Sequence, residues 1–504
     1  MYDLVVLGGG AGGLSVASSA ARVGARVALV EKRRPGGEHT CSASVSSKAL
    51  IEAARLAHRA RSAADFGIRL GTVAVDFPAV MARVRALAES GAGGDSDDSL
   101  RAKGIHVYHG SATFEAYDTV VIDGKTRLSA QRFVIATGSR PAIPSIPGLS
   151  EAGYLDTESI WGLSELPASL VILGAGPAGL EFGQAMARLG SKVTILADSD
   201  HVLPQEEPEV SDRLQAALAA EGITIKTGVE ITRVSRRDEL KVCDFLDKPS
   251  GARAEASGSQ LLVAAGRLAN IKGLNLLAAG IHADSAEGIE VDDYLQTRSQ
   301  RIYAIGDVTQ RPRFAHAAER EAAIAFQNAV LRVPKKIDFT ALPRVTFVAP
   351  EVASVGLSEA VASEKYPEIC VFRADFSDLD RARIDGRPEG FAKVIATPAG
   401  KVLGASVVGE DAAMILQEFV LAIEHGLSMG DLASTFHPYP TYAGIAGNLA
   451  SQFAATRQEG GVMQTALRWF LGFRPRGESD GNAPAAEPGD AHAQTAGHAN
   501  GHGH

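Results

Sequence analysis

Asp3-Leu-Val-Val-Leu-Gly8-Gly-Gly10-Ala-Gly-Gly13 begins the chain's first recognisable pattern, which runs through a helical stretch to Val27-Ala-Leu-Val-Glu31. The same pattern returns at Leu170-Val-Ile-Leu-Gly174-Ala-Gly176-Pro-Ala-Gly179 and ends at Val193-Thr-Ile-Leu-Ala197-Asp198. Each copy reads as a buried strand, a G-x-G-x-x-G turn, an amphipathic helix and a second buried strand. One such turn means little in a chain with 53 glycines. Two copies in full strand–turn–helix–strand context point to two dinucleotide-binding folds, against the plainer reading of two glycine-rich turns. The glycines allow the tight turn and let a pyrophosphate reach the helix N-terminus, whose dipole and free N–H groups favour an anion.

The ends of the second strands differ. Glu31 lies 18 residues after Gly13, where a carboxylate accepts hydrogen bonds from a ribose 2′-hydroxyl. In the second copy Ala197 takes that place, with Asp198 beside it. An acid there repels a 2′-phosphate and no Arg follows nearby, so NADH is expected over NADPH.

At 504 residues the chain has room for about three domains at roughly 100–200 residues each. Against 59 Asp+Glu there are 50 Lys+Arg, a net charge of −9, which argues against a nucleic-acid footprint. No apolar run reaches the ~18 residues of a membrane span, and the first residues lack a secretory signal's basic start. Three widely spaced cysteines, Cys41, Cys243 and Cys370, form no CxxC pair and no disulfide framework. A cytoplasmic location is expected. Beyond about residue 475 the Gly, Ala, Pro, Asp and His composition predicts a disordered tail.

Further segments follow in a fixed order: Ile135-Ala-Thr137-Gly138, Ala264-Ala-Gly266-Arg267, Ile302-Tyr-Ala-Ile-Gly306-Asp307, Pro343-Arg-Val-Thr-Phe-Val-Ala-Pro350-Glu351 and Asp380-Arg381-Ala-Arg. Together with the two glycine motifs they resemble the two-dinucleotide flavoprotein disulfide reductases over residues 1 to about 458. The resemblance implies an α/β fold: two Rossmann-like domains for FAD and NAD(P), and an α+β C-terminal dimerisation domain in a homodimer. The FAD domain would be discontinuous, 1–147 and 264–335, with the NAD(P) domain at 148–263, the dimerisation domain at 336–458, and an apolar, basic segment and tail at 459–504. The cofactor contacts implied are Gly8, Gly10, Gly13, Glu31, Lys48, Ala112, Thr137, Gly138, Gly306, Asp307, Ala315, Gly174, Gly176, Gly179, Asp198 and Gly266. Lys48 and Glu181 match an ion pair beside the flavin and nicotinamide rings.

The resemblance breaks at the redox helix, where the family pattern is GGxCxxxGCxPSKxL. This chain reads Gly36-Gly37-Glu-His39-Thr-Cys41-Ser-Ala43-Ser44-Val-Ser46-Ser47-Lys48-Ala-Leu50. Aligned without a gap, His39 and Ser44 stand at the two sulfur positions, and Cys41 is not one of the pair. Thiol–disulfide exchange needs an attacking thiolate and a resolving sulfur, so disulfide reduction by the family mechanism is not expected. The C-terminal motif departs too: in Phe436-His437-Pro438-Tyr439-Pro440-Thr441-Tyr442-Ala-Gly444, Tyr439 replaces the acid/base His and Gly444 its orienting Glu. Mercuric reductases share the Tyr but add a vicinal cysteine pair that is missing here.

The expected activity is therefore FAD-dependent NAD(P)H oxidation with direct transfer to a small-molecule acceptor such as a quinone. The alternatives are a soluble pyridine nucleotide transhydrogenase and a non-catalytic flavoprotein scaffold with a metal-binding tail. Lys48, Glu181, His39, Ser44 and Tyr439 are the candidate catalytic residues, and no metal site is assigned. His39 and Ser44 are equally readable as tolerated replacements, Tyr439 as a structural residue, and His316 as a packing and capping residue. Peripheral membrane contact near 465–474, where Trp469 and Phe470 sit among Arg residues, stays open beside packing on the dimer.

Overall fold

A computed structural model describes residues 1–37, 43–91, 96–458 and 469–470. Residues Met1–Phe453 form one compact unit, and the described residues beyond it belong to a second.

The first sheet grows from the N-terminal apolar run. Strand β1 (Tyr2–Leu7) lies parallel between β2 (Val27–Glu31) and β6 (Thr126–Ile135), and β3 (Ile105–His109) flanks β2. Leu4, Val5, Val6 and Leu7 are all buried, the pattern of a central parallel strand covered on both faces. The antiparallel strands β4 (Ala112–Ala116) and β5 (Thr119–Ile122) extend the sheet beyond β6. Ile302–Ala304 also pairs with β6 in parallel, so a strand from far along the chain completes this sheet.

The second parallel sheet orders its strands as Thr224–Lys226, Lys192–Leu196, Ser169–Leu173, Gln260–Val263 and Leu155–Asp156. A three-stranded antiparallel sheet of Val229–Arg237, Leu240–Asp247 and Ala252–Gly258 accompanies it. The third part is a five-stranded antiparallel sheet, ordered Arg344–Thr346, Glu351–Gly356, Val402–Gly409, Phe391–Ala396 and Cys370–Asp375. The helix Ala412–His425 buries Ile415, Leu416 and Phe419 in that sheet's apolar core. The mixed α/β class and the Rossmann-like sheets are those the sequence predicts.

Candidate functional site

The two glycine turns are built alike. Gly8 (φ +106°) and Gly174 (φ +112°) leave their strands in a left-handed conformation, and a Cβ on either would lie 2.3 or 2.4 Å from a carbonyl oxygen, of Ala136 or Ala264. A Cβ on Gly13 would meet the Gly8 carbonyl oxygen at 1.9 Å, and one on Gly179 the Gly174 oxygen at 2.0 Å. Only glycine fits at these four positions. The middle glycines differ: a Cβ on Gly10 would have its nearest neighbour at 4.0 Å, and one on Gly176 nothing within 4 Å. That open space lies at the N-termini of helices Ala11–Arg22 and Pro177–Leu189, and neither N-cap residue supplies a side chain to the first turn. Both cradles fit a pyrophosphate.

Around the first cradle the structure gathers most of the predicted contacts. Glu31 accepts the Gly9 N–H at 2.6 Å and the Arg33 N–H at 2.7 Å, which holds its carboxylate at the end of β2. Glu31 pairs with His109 across the β2–β3 ladder, and Ala112 follows at the start of β4. Thr137 and Gly138 bond to Asn270, and the adjacent Ser139 hydroxyl donates to Asp307 at 2.6 Å. Arg267 donates to that same Ser139 oxygen at 2.7 Å and stands 3.7 Å from the Asp307 carboxylate. Gly306, the residue before Asp307, donates its N–H to the buried Glu321. Ala315 is the first residue of the helix Ala315–Phe326 that carries Glu321, and the neighbouring His316 meets the Pro343 carbonyl at 3.0 Å. In the second cradle Asp198 is exposed just beyond Lys192–Leu196, while Gly266 (φ +110°) follows the strand Gln260–Val263.

Lys48 and Glu181 meet between the cradles. Lys48 sits on the helix Ser44–Arg61, which follows Gly36-Gly37; the Gly36 N–H donates to the Gly9 carbonyl, and a Cβ on Gly37 would strike Gly10 at 2.6 Å. Glu181 sits in the first two turns of Pro177–Leu189, just beyond the second cradle. The Lys48 ammonium donates to Glu181 Oε2 at 2.9 Å; the Lys side chain is 36% exposed and the Glu side chain 8%. A half-exposed cation held by a buried anion can therefore face a bound group.

The remaining candidates behave differently. Ser44 opens the Lys48 helix, and its carbonyl accepts the Ser47 hydroxyl at 3.4 Å. His39 and Cys41 lie outside the described residues. Cys243 is fully buried in the antiparallel sheet, where burial pushes its thiol up to about 12, and Cys370 lies on an edge strand of the third sheet. The Cys243 thiol, so buried, is inert as a nucleophile. Tyr439 is 82% exposed, donates to Asp380 at 2.6 Å, and titrates above the usual phenol range because of that hydrogen bond. Among the described residues no hydrogen bond joins Tyr439 to Lys48 or Glu181. His437, two residues earlier, bonds both oxygens of Glu418 at 3.0 and 3.1 Å. Sequence reasoning did not assign Ser139, Asn270, Glu321 or Phe347 to the site; each acts through a partner more than a dozen residues away in the chain.

Two family models match, "Pyridine nucleotide-disulphide oxidoreductase" over residues 2–322 and its "dimerisation domain" over residues 342–449. The chain belongs to the pyridine nucleotide-disulphide oxidoreductase family. This is a family of FAD-dependent oxidoreductases that use NAD(P)H, in keeping with the two cradles. The chain is similar to the mercuric reductase of Streptomyces lividans, at 37% identity over 88% of this chain and 94% of that protein. It is also similar to the dihydrolipoyl dehydrogenase of Chlorobaculum tepidum, at 34% identity over 87% of this chain and 94% of the other. Among solved structures, the HOCl-induced flavoprotein disulfide reductase RclA of Escherichia coli matches with a TM-score of 0.78 and 25% identity, covering 89% of this chain and 99% of that one. No helix among the described residues is long and apolar enough to cross a membrane.

Proposed function

We propose that this family member passes reducing equivalents from NADH through FAD directly to a non-disulfide acceptor such as a quinone, as a homodimer. The overall exchange takes NADH, a proton and a quinone to NAD⁺ and the hydroquinone. The Lys48–Glu181 ion pair between two intact dinucleotide cradles carries the reading, because it is the part of the machinery that serves nucleotide and flavin rather than sulfur. Bound FAD would supply the two-electron chemistry, and the protein supplies orientation and electrostatics. The first cradle and the Glu31 carboxylate would hold the adenosine and pyrophosphate, and Asp307, fixed by Ser139 and Arg267, the ribityl chain. Asp198 would favour NADH over NADPH by repelling a 2′-phosphate. Lys48 would place a positive charge beside the isoalloxazine and favour its reduced, anionic form. Ser44 stands where the family mechanism needs a sulfur, and the described cysteines are on other sheets. Tyr439, exposed and donating its hydroxyl to Asp380, would have to leave that carboxylate to give a proton to an acceptor oxygen across the dimer.

Anaerobic titration with NADH tests this directly. One equivalent should bleach the flavin with no long-wavelength thiolate–flavin absorbance, and a quinone should restore the oxidised spectrum. Uptake of a second equivalent would reveal another redox centre and overturn the proposal.

A further inference from the structure

Between the strands Arg344–Thr346 and Glu351–Gly356 the chain runs Phe347-Val348-Ala349-Pro350 along the Glu181 helix. The Phe347 N–H donates to Glu181 Oε1 at 2.8 Å. Two residues on, Ala349 and the Gln184 amide exchange two hydrogen bonds, at 2.7 and 2.6 Å. Positions 181 and 184 are neighbours on one helix face, so an extended segment of the interface part is read against that face. The Phe347 ring then turns the other way: the Lys48 ammonium lies 4.5 Å from its centroid. One residue thus touches both members of the ion pair, with its backbone on the anion and its ring on the cation.

Simple core packing does not account for the ring. Val348 is 1% exposed and joins the apolar core between the sheets, whereas Phe347 is half-buried and belongs to none of the apolar clusters of the described residues. We infer that Phe347 is a positioning residue for the Lys48–Glu181 pair, so that docking of the interface part on the nucleotide-binding part sets the geometry of the charge beside the flavin. This inference rests on the proposed placement of Lys48 at the flavin.

The test uses the flavin-loaded protein and compares Phe347→Leu, which keeps the N–H and removes the ring, with Phe347→Tyr and Lys48→Met. The first readout is the flavin's two-electron midpoint potential. Moving the Lys48 charge away from the anionic reduced flavin should weaken that state by about three- to tenfold, or about 15–30 mV in the negative direction for a two-electron couple. Phe347→Tyr should restore the wild-type potential, and Lys48→Met should shift it at least as far as Phe347→Leu. The second readout is a crystal structure of Phe347→Leu, in which the Lys48 ammonium should leave its 2.9 Å contact with Glu181. If Phe347→Leu does not retain flavin, Phe347→Met, of similar volume, replaces it. An unchanged potential and an intact contact in Phe347→Leu, with a shifted potential in Lys48→Met, would overturn the inference and leave the site reading standing. An unchanged potential in Lys48→Met would remove Lys48 from the flavin, and the inference with it.

Discussion

Glu321 holds the turn before Asp307 through the Gly306 N–H, and its charge state sets how the fold responds to pH. The residue is 0% exposed; one carboxyl oxygen accepts the Gly306 N–H and the other has no hydrogen-bond partner among the described residues. Burial, reinforced by the nearby Asp307 charge, pushes its pKa up to about 7 from an ordinary value near 4.5, against the pull of the Gly306 N–H. The folded protein therefore keeps a proton that the unfolded chain releases. Its stability is undisturbed below about pH 4.5, falls as the pH rises toward 7, and stays lowered above that. At about 1.4 kcal/mol per pH unit, the interval amounts to about 3 kcal/mol at pH 8. Glu321→Gln keeps an oxygen for Gly306 and cannot ionise. Its amide nitrogen lacks a partner, a cost of about 1–3 kcal/mol that is the same at every pH. The melting temperature of the variant relative to wild type should therefore rise by about 3 °C between pH 5 and pH 8, at an unfolding entropy of about 1 kcal/mol per kelvin for a protein of this size. Scanning calorimetry at the two pH values measures it. A constant offset between variant and wild type would mean that Glu321 titrates like a solvated carboxyl, and the argument from its burial would fail.

Two further predictions separate steric from electrostatic roles. Gly174→Ala places a methyl group 2.4 Å from the Ala264 carbonyl at a positive φ, and should abolish soluble expression. Gly176→Ala meets no atom within 4 Å, so it should melt within about 2 °C of wild type yet raise the KM for NADH about tenfold by filling the space left for a pyrophosphate. Equal expression of the two would contradict the cradle geometry. Lys393, 5% exposed, is held by Glu207 at 2.9 Å, by Glu359 at 3.1 Å and by Glu209; burial alone would lower its pKa, and these carboxylates raise it instead. Lys393→Met strands a buried negative charge on Glu207 and should cost about 3–5 kcal/mol in urea unfolding at pH 7. An unchanged urea midpoint would sink that account.

Much of the fold is legible in the sequence because its rules are local. A strand buried on both faces must be apolar throughout, as Leu4 to Leu7 and Leu170 to Leu173 are, and a turn whose Cβ positions are blocked by carbonyl oxygens must be glycine. Lys48 and Glu181 were legible only through the family resemblance, since nothing local to either residue announces a partner 133 positions away. The supporting residues were not legible at all. Ser139 reaches Asp307 across 168 positions and Phe347 reaches Glu181 across 166, and a lone Ser in a loop or a Phe beside a strand carries no periodic signal. The expectation for His39 stays a matter of sequence, because His39 lies outside the described residues, as do 465–468 and the tail from 471 onward.

The helix that carries Lys48 explains how one charge can be held accurately between the second and third sheets. Positions 48, 55 and 59 are seven and four residues apart, which places them along one face of the helix. Each is a cation that meets a glutamate from another part of the chain: Lys48 with Glu181 at 2.9 Å, Arg55 with Glu351 at 3.2 Å, and Arg59 with Glu410 at 3.1 Å. At the helix's C-terminal end Arg61 donates to the Arg188 carbonyl, tying it to the end of the Glu181 helix. Exposed pairs such as Arg59–Glu410 contribute about 1 kcal/mol or less, so this row is weak as a source of stability. Its effect is geometric: four contacts along four turns leave the helix little freedom to slide or rotate against either neighbour. A site that moves electrons through bound cofactors depends on such fixed electrostatics, and it needs no sulfur on that helix to have them.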